Sequence, residues 1–235
     1  MLPLFPYSSL SPNHWSEVLC TGVSAGGEKE WELVWNEYLN SNTTQERTSF
    51  LTALACSENA TILSRYLEMS FNPDMGFRKD NFKIIFSAVA NNIVGRQIAW
   101  TFLKKHWNDI LRCKSQKFVF SNQETQRYLL NKITHSFNTH RDLADLQAFL
   151  QDRNTDLTEV ARTAEQVLER TKNNVMWMEA NVPRLLSFWK IMVMHLQRPF
   201  EAGRGMLFES FAIVYRNLFQ FTGEKNKQHY DLFLL

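Results

Sequence analysis

From about residue 12 onward, apolar side chains recur three or four residues apart, and the stretches between periodic segments are short. This combination leaves little freedom: the chain must form a series of short amphipathic helices whose neighbours run antiparallel. The spacing predicts helices over Trp15 to Val23, over a segment carrying Trp31, Val34, Trp35 and Tyr38, and over Thr44 to Cys56, Thr61 to Met69, Phe82 to Ala90 and Val94 to Ile110. It continues with Gln123 to Phe137, Arg141 to Leu150, Asp156 to Glu179, Leu185 to Leu196 and Met206 to Phe221. Breaks fall at Gly26-Gly27, Asn72-Pro73-Asp74, Asn91-Asn92 and Pro199 with Gly203 and Gly205, where glycine, asparagine and proline stop a helix. Only eight glycines occur, and Asn-Gly or Asp-Gly hairpin signals are scarce, which disfavours sheet. The expected fold class is all-α, an α-solenoid or superhelix of antiparallel helix pairs. No repeat period is regular enough for tetratricopeptide or ankyrin units. Residues 1–11 read as an irregular lead, 12–189 as the main helical domain, and 190–235 as an extra tail with one amphipathic helix.

Hydrophobic residues make up 44% of the chain, ample for a core, and the formal net charge is only +2 with both signs interspersed. Such a balance generates no field suited to nucleic acid or an anionic membrane. No stretch approaches the roughly 20 apolar residues of a spanning helix, so no membrane span is expected. Met1 to Leu10 contains no Lys or Arg and is interrupted by Pro3 and Pro6. It does not read as a signal peptide, and the sequence as it stands has no evident route into the secretory pathway.

Catalytic constellations are missing from the sequence. The six histidines (His14, His106, His135, His140, His195 and His229) form no H-E-x-x-H pair, the helical spacing that places two zinc ligands on one face. His106 and Asp109 stand one turn apart and could share a ligand, but Lys104, Lys105 and Trp107 around them read as a helix end. His135 and His140 are expected near a helix terminus, where imidazolium can favour the C-terminal dipole. No G-x-S-x-G nucleophile signature or phosphate-binding glycine loop is present; Gly203-Arg204-Gly205 reads as a turn. The aromatics Trp31, Trp35, Trp100, Trp107, Trp177 and Trp189 fall at helix-face spacing and are expected in the core. The three cysteines, Cys20, Cys56 and Cys113, could be free thiols or one disulfide with one left over. Asn42-Thr43-Thr44 and Asn59-Ala60-Thr61 are glycosylation sequons, which makes Asn42 and Asn59 candidate acceptors.

Several runs, taken in order, carry more information than any of them alone. They are Cys20-Thr21-Gly22-Val23, Gly26 to Trp31, Trp35 to Tyr38, Leu54 to Ser57, Ser64 to Glu68 and Asn72-Pro73-Asp74. Ala90 to Arg96, Ala99 to Leu103, Trp107, Ala164 to Glu169, Lys172 to Val175 and Trp177 follow. Over roughly residues 12–189 this ordered set resembles the C-terminal helical domain of the zinc aminopeptidase family of aminopeptidase N and endoplasmic reticulum aminopeptidase. The first part of that domain has no counterpart here. Gly76 to Asp80 departs from the family's usual Arg-x-Gln-Asp, and Lys190 to Leu235 runs past its usual end. Met178-Glu179-Ala180-Asn181 faintly resembles the family's G-x-M-E-N substrate motif, but an alanine interrupts it and no glycine precedes it.

The resemblance implies a superhelix of HEAT-like helix pairs which, in full enzymes, caps the catalytic domain and bounds a chamber for peptide substrates. It implies a disulfide between Cys20 and Cys56. Zinc belongs to the parent enzymes, whose ligands lie upstream of the matched region, so no cofactor, metal site or catalytic residue is expected in this chain. Its expected partners are a peptide substrate or the catalytic domain of a full-length aminopeptidase. The parent family is extracellular, as plasma-membrane ectodomains, or resides in the secretory pathway. A freestanding HEAT-like scaffold that binds a peptide or protein is the alternative.

Overall fold

Side-chain caps decide where several helices begin. The computed structural model describes residues 15–72, 75, 77, 79–112, 123–153 and 160–196. The predicted lead 1–11, Cys113 and the predicted helix 206–221 lie outside the described residues. Those described form nine α-helices and no strand: α1 (Trp15–Ala25), α2 (Glu28–Asn40), α3 (Thr44–Leu54), α4 (Ala60–Phe71), α5 (Lys79–Asn91), α6 (Gly95–Arg112), α7 (Gln123–Thr134), α8 (His140–Asp152) and α9 (Ala161–Leu196). At α2 the N-cap is Gly27, which has no side chain to offer, so the Glu30 carboxylate accepts from Gly27 N at 2.7 Å instead. At α3, Thr43 Oγ1 accepts from Glu46 N at 3.2 Å, and at α4, Asn59 Oδ1 accepts from Thr61 N and Ile62 N at 2.9 and 3.4 Å. Each bond satisfies backbone donors that the first helical turn leaves unpaired. Thr139 and Asp142 cap α8 reciprocally: Thr139 Oγ1 accepts from Asp142 N at 3.1 Å and Asp142 Oδ2 accepts from Thr139 N at 3.2 Å.

The chain divides into two compact units, residues 1–136 with 147–168, and 137–146 with 169–235. In the first, helices pack mainly against those one or two positions along the chain: α1 on α2 and α3, α3 on α5, α4 on α5 and α6, α5 on α6 and α7. This predominance of near neighbours is how stacked helical hairpins share a continuous core. The predicted stripes point inward: Trp31, Val34 and Tyr38 from α2, Ile62, Leu63, Tyr66 and Leu67 from α4, and Phe82, Ile85, Phe86 and Val89 from α5. Two of the buried aromatics have their polar ends bonded: Trp31 Nε1 donates to Leu54 O at 3.1 Å and Tyr66 Oη to Leu51 O at 3.0 Å, whereas the buried Trp107 Nε1 has no hydrogen-bond partner among the described residues. Trp100 and Trp107 of α6 are fully buried and meet Phe149 edge-on at 5.1 and 5.2 Å. In the second unit, Asn174 Nδ2 donates to Phe137 O at 3.0 Å.

Three expectations need correction. The helices predicted on either side of residues 180–184 are one, since α9 runs unbroken from Ala161 to Leu196 with Pro183 inside it. Proline removes one N–H and crowds the carbonyl four residues back, yet this residue is exposed and the flanking turns stay helical. Trp177 is 55% exposed and outside the core, because α9 turns that face to solvent. His140 is the first residue of α8, not close to a C-terminus, and its Nε2 lies 2.6 Å from Glu179 Oε1, so a carboxylate rather than a helix dipole is its partner.

Candidate functional site

The best-defined chemical feature is covalent. Cys20 lies within α1 and Cys56 just beyond α3. Because these helices pack together, the Cα atoms come within 5.3 Å and the sulfurs are joined as a disulfide. A hydrogen bond from Ser24 Oγ to Glu58 Oε1 at 3.2 Å ties the same two segments nearby. This is the pairing the family resemblance implies, and the spacing of three cysteines alone could not have selected it.

Beside it the Asn92 side chain pins the junction between α5 and α6. Its Nδ2 donates to Ala55 O and Ser57 O at 2.8 and 2.9 Å, while Oδ1 accepts from Val94 N and Gly95 N at 2.8 and 3.1 Å. One amide thus caps α6 and holds the α3–α4 turn. Gly95 is required beside it: a Cβ there would strike Val89 O and lie 2.9 Å from Val89 Cγ1.

His106 and Asp109 are close, as their spacing predicts, with Nδ1 3.1 Å from Asp109 Oδ2. Sequence reasoning missed the third member, Glu68 of α4, whose carboxylate accepts from Lys105 Nζ at 2.8 Å and lies 3.4 Å from His106 Nε2. No spacing rule connects residues 37 and 38 apart; only the packing of α4 on α6 does. Partial burial pushes the Glu68 carboxyl up, but hydrogen bonds from Lys105 and His106 outweigh this and hold it below its ordinary value. The His106 ring is enclosed by Phe71 and Phe102, with centroids 4.9 and 4.5 Å away. Both ring nitrogens face carboxylates, Nε2 that of Glu68 on α4 and Nδ1 that of Asp109 on the same helix. Among the described residues, no group of three or more His, Cys, Asp or Glu side chains is arranged to hold a metal ion, and no helix is long and apolar enough to cross a membrane.

Asn42 and Asn59 are both exposed, the first between α2 and α3, the second capping α4. Met178 to Asn181 lie within α9, where Asn181 Nδ2 donates to Trp177 O at 2.8 Å. On the same helix Met176, Trp177, Leu185 and Phe188 are exposed, and the spacing of Trp177, Leu185 and Phe188 puts these three on one side of it.

Residues 5–173 match the family of ERAP1-like C-terminal domains. Aminopeptidase N of the dog (Canis lupus familiaris) is 33% identical over 181 residues, covering 76% of this chain and 18% of the dog protein. Chicken (Gallus gallus) aminopeptidase Ey is 33% identical over 175 residues, 73% of this chain and 17% of its own. The human (Homo sapiens) thyrotropin-releasing hormone-degrading ectoenzyme is 32% identical over 160 residues, 68% of this chain and 14% of its own. The chain therefore spans less than a fifth of the length of these relatives.

Proposed function

The chain belongs to the family of ERAP1-like C-terminal domains, and from that premise we propose that it is the non-catalytic helical part of an aminopeptidase N-like zinc metallopeptidase. In the whole enzyme it caps the catalytic domain and bounds the chamber in which a peptide is held for removal of its N-terminal residue. The observation that carries this reading is where the likeness falls: three-quarters of this chain aligns with 18% of an aminopeptidase, in a domain whose family is defined as C-terminal. Zinc and catalysis then belong to the remainder of the enzyme. Trp177, Leu185 and Phe188, which helical spacing places on one side of α9, are exposed, and this supports a chain that meets a further domain there. The Cys20–Cys56 disulfide supports an extracellular or secretory location, because structural disulfides persist in oxidising compartments.

The test is an aminopeptidase assay with metal analysis on the purified chain, followed by mixing with the remainder of a family enzyme that lacks this region. We expect no stoichiometric zinc, no hydrolysis of aminoacyl substrates, and a complex with the remainder. Catalytic zinc needs three protein ligands around an open position, so tight one-to-one zinc with turnover would overturn the reading. Failure to join the remainder, together with peptide binding by the chain alone, would favour a freestanding scaffold.

A further inference from the structure

The sequence contains two Asn-X-Ser/Thr tripeptides, Asn42-Thr43-Thr44 and Asn59-Ala60-Thr61, and the fold places both at helix beginnings. Asn42 precedes the N-cap Thr43 of α3, and Asn59 is itself the N-cap of α4. All six residues are exposed. The two atoms of the Asn59 amide have separate roles. Oδ1 takes the bonds from Thr61 N and Ile62 N, whereas Nδ2, the atom to which an N-linked glycan attaches, takes no part in the cap. Asn92 is the opposite case, with Nδ2 engaged by Ala55 O and Ser57 O.

We infer that Asn42 and Asn59 are acceptors for N-linked glycans, and that at Asn59 the glycan and the helix cap share one amide without competing. In the transfer, Nδ2 forms a bond to C1 of the sugar of a lipid-linked oligosaccharide diphosphate. The bond from C1 to the diphosphate oxygen breaks, and Nδ2 loses one proton. The amide carbonyl is untouched, so Oδ1 still accepts from the α4 backbone. Cys56, three residues before Asn59, is disulfide-bonded, and the oxidising compartment that forms such bonds is also where this transfer takes place.

The inference rests on the secretory location proposed above, so the test supplies that route: the full chain is secreted from animal cells behind a cleavable leader. Peptide N-glycosidase should then remove two steps of gel mobility. Asn42→Gln and Asn59→Asp should each remove one, and the double variant both. Asp retains the capping oxygen, so Asn59→Asp should lose its glycan, and the α4 amides of the glycosylated parent should exchange no faster than those of this variant; Thr61→Val should lose the same step with Asn59 intact. A secreted chain with its disulfide formed but no glycosidase-sensitive mass on Asn59, or a second step surviving in Asn59→Asp, would overturn the assignment at that site. The same outcomes for Asn42 would overturn it there. The zinc and activity measurements of the preceding section are unaffected by either result.

Discussion

Asn92 concentrates four hydrogen bonds in one side chain, and Asn92→Ala should therefore cost more than a single cap, about 2–3 kcal/mol by denaturant unfolding. Asn92→Asp should fall between, because it keeps the acceptor for α6 but loses both donors to the α3–α4 turn. Two carboxylates make a prediction about pH. Glu30 is held below its ordinary value of 4.5 chiefly by the Gly27 amide, and Glu46 chiefly by the Ser41 hydroxyl, 2.8 Å away, with that of Thr43. Because each folded-state pKa is depressed, the stabilisation is complete above the ordinary value and is lost as pH falls through the folded value. Glu46→Gln should lower the melting temperature at neutral pH and flatten its acid-side decline. The two proteins should converge once Glu46 is protonated in the parent, and a constant difference at all pH values would contradict this. None of these partnerships was legible in the sequence. Asn91-Asn92 reads only as a break, since the partners of Asn92 in the α3–α4 turn are 35 and 37 residues away.

At the scale of the element, periodicity located the helices well and judged their surroundings less well. The pattern fixes which residues share a face, so Trp100 and Trp107 were legible as a pair on α6, and both are buried. Trp100→Ala should empty a site packed against Phe149 and cost about 3–5 kcal/mol, measured by thermal or denaturant unfolding. The pattern does not reveal whether anything covers that face, and for this reason Trp177 was misplaced. Nor does it reveal whether a helix tolerates an interior proline. At Pro183 the ring faces solvent, and the residue forfeits the bond its amide would make to Glu179 O. Pro183→Ala should restore that bond and slow amide exchange over residues 183–187, by up to about 3 kcal/mol in local opening free energy. Unchanged exchange there would mean that this turn is held by something other than its own ladder.

For the whole molecule, the all-α class followed from spacing and scarce turn signals, and the family from an ordered set of short runs, each weak alone. The disulfide partner choice came from the resemblance; the fold supplies its physical reason, the packing of α1 on α3. Cys20→Ser with Cys56→Ser should destabilise the chain by about 3–4 kcal/mol, and equal unfolding midpoints with and without reductant would show that the crosslink adds nothing. The crosslink also has a mechanical consequence. Its cysteines are 36 residues apart, and at about 3.3 Å per extended residue the loop holds on the order of 120 Å of chain. When the protein is pulled from its two ends, tension passes through the sulfur bridge and bypasses α2 and α3, which can unfold but cannot lengthen the tether. Force spectroscopy should therefore record a full extension about 12 nm shorter for the oxidised chain than for the reduced one.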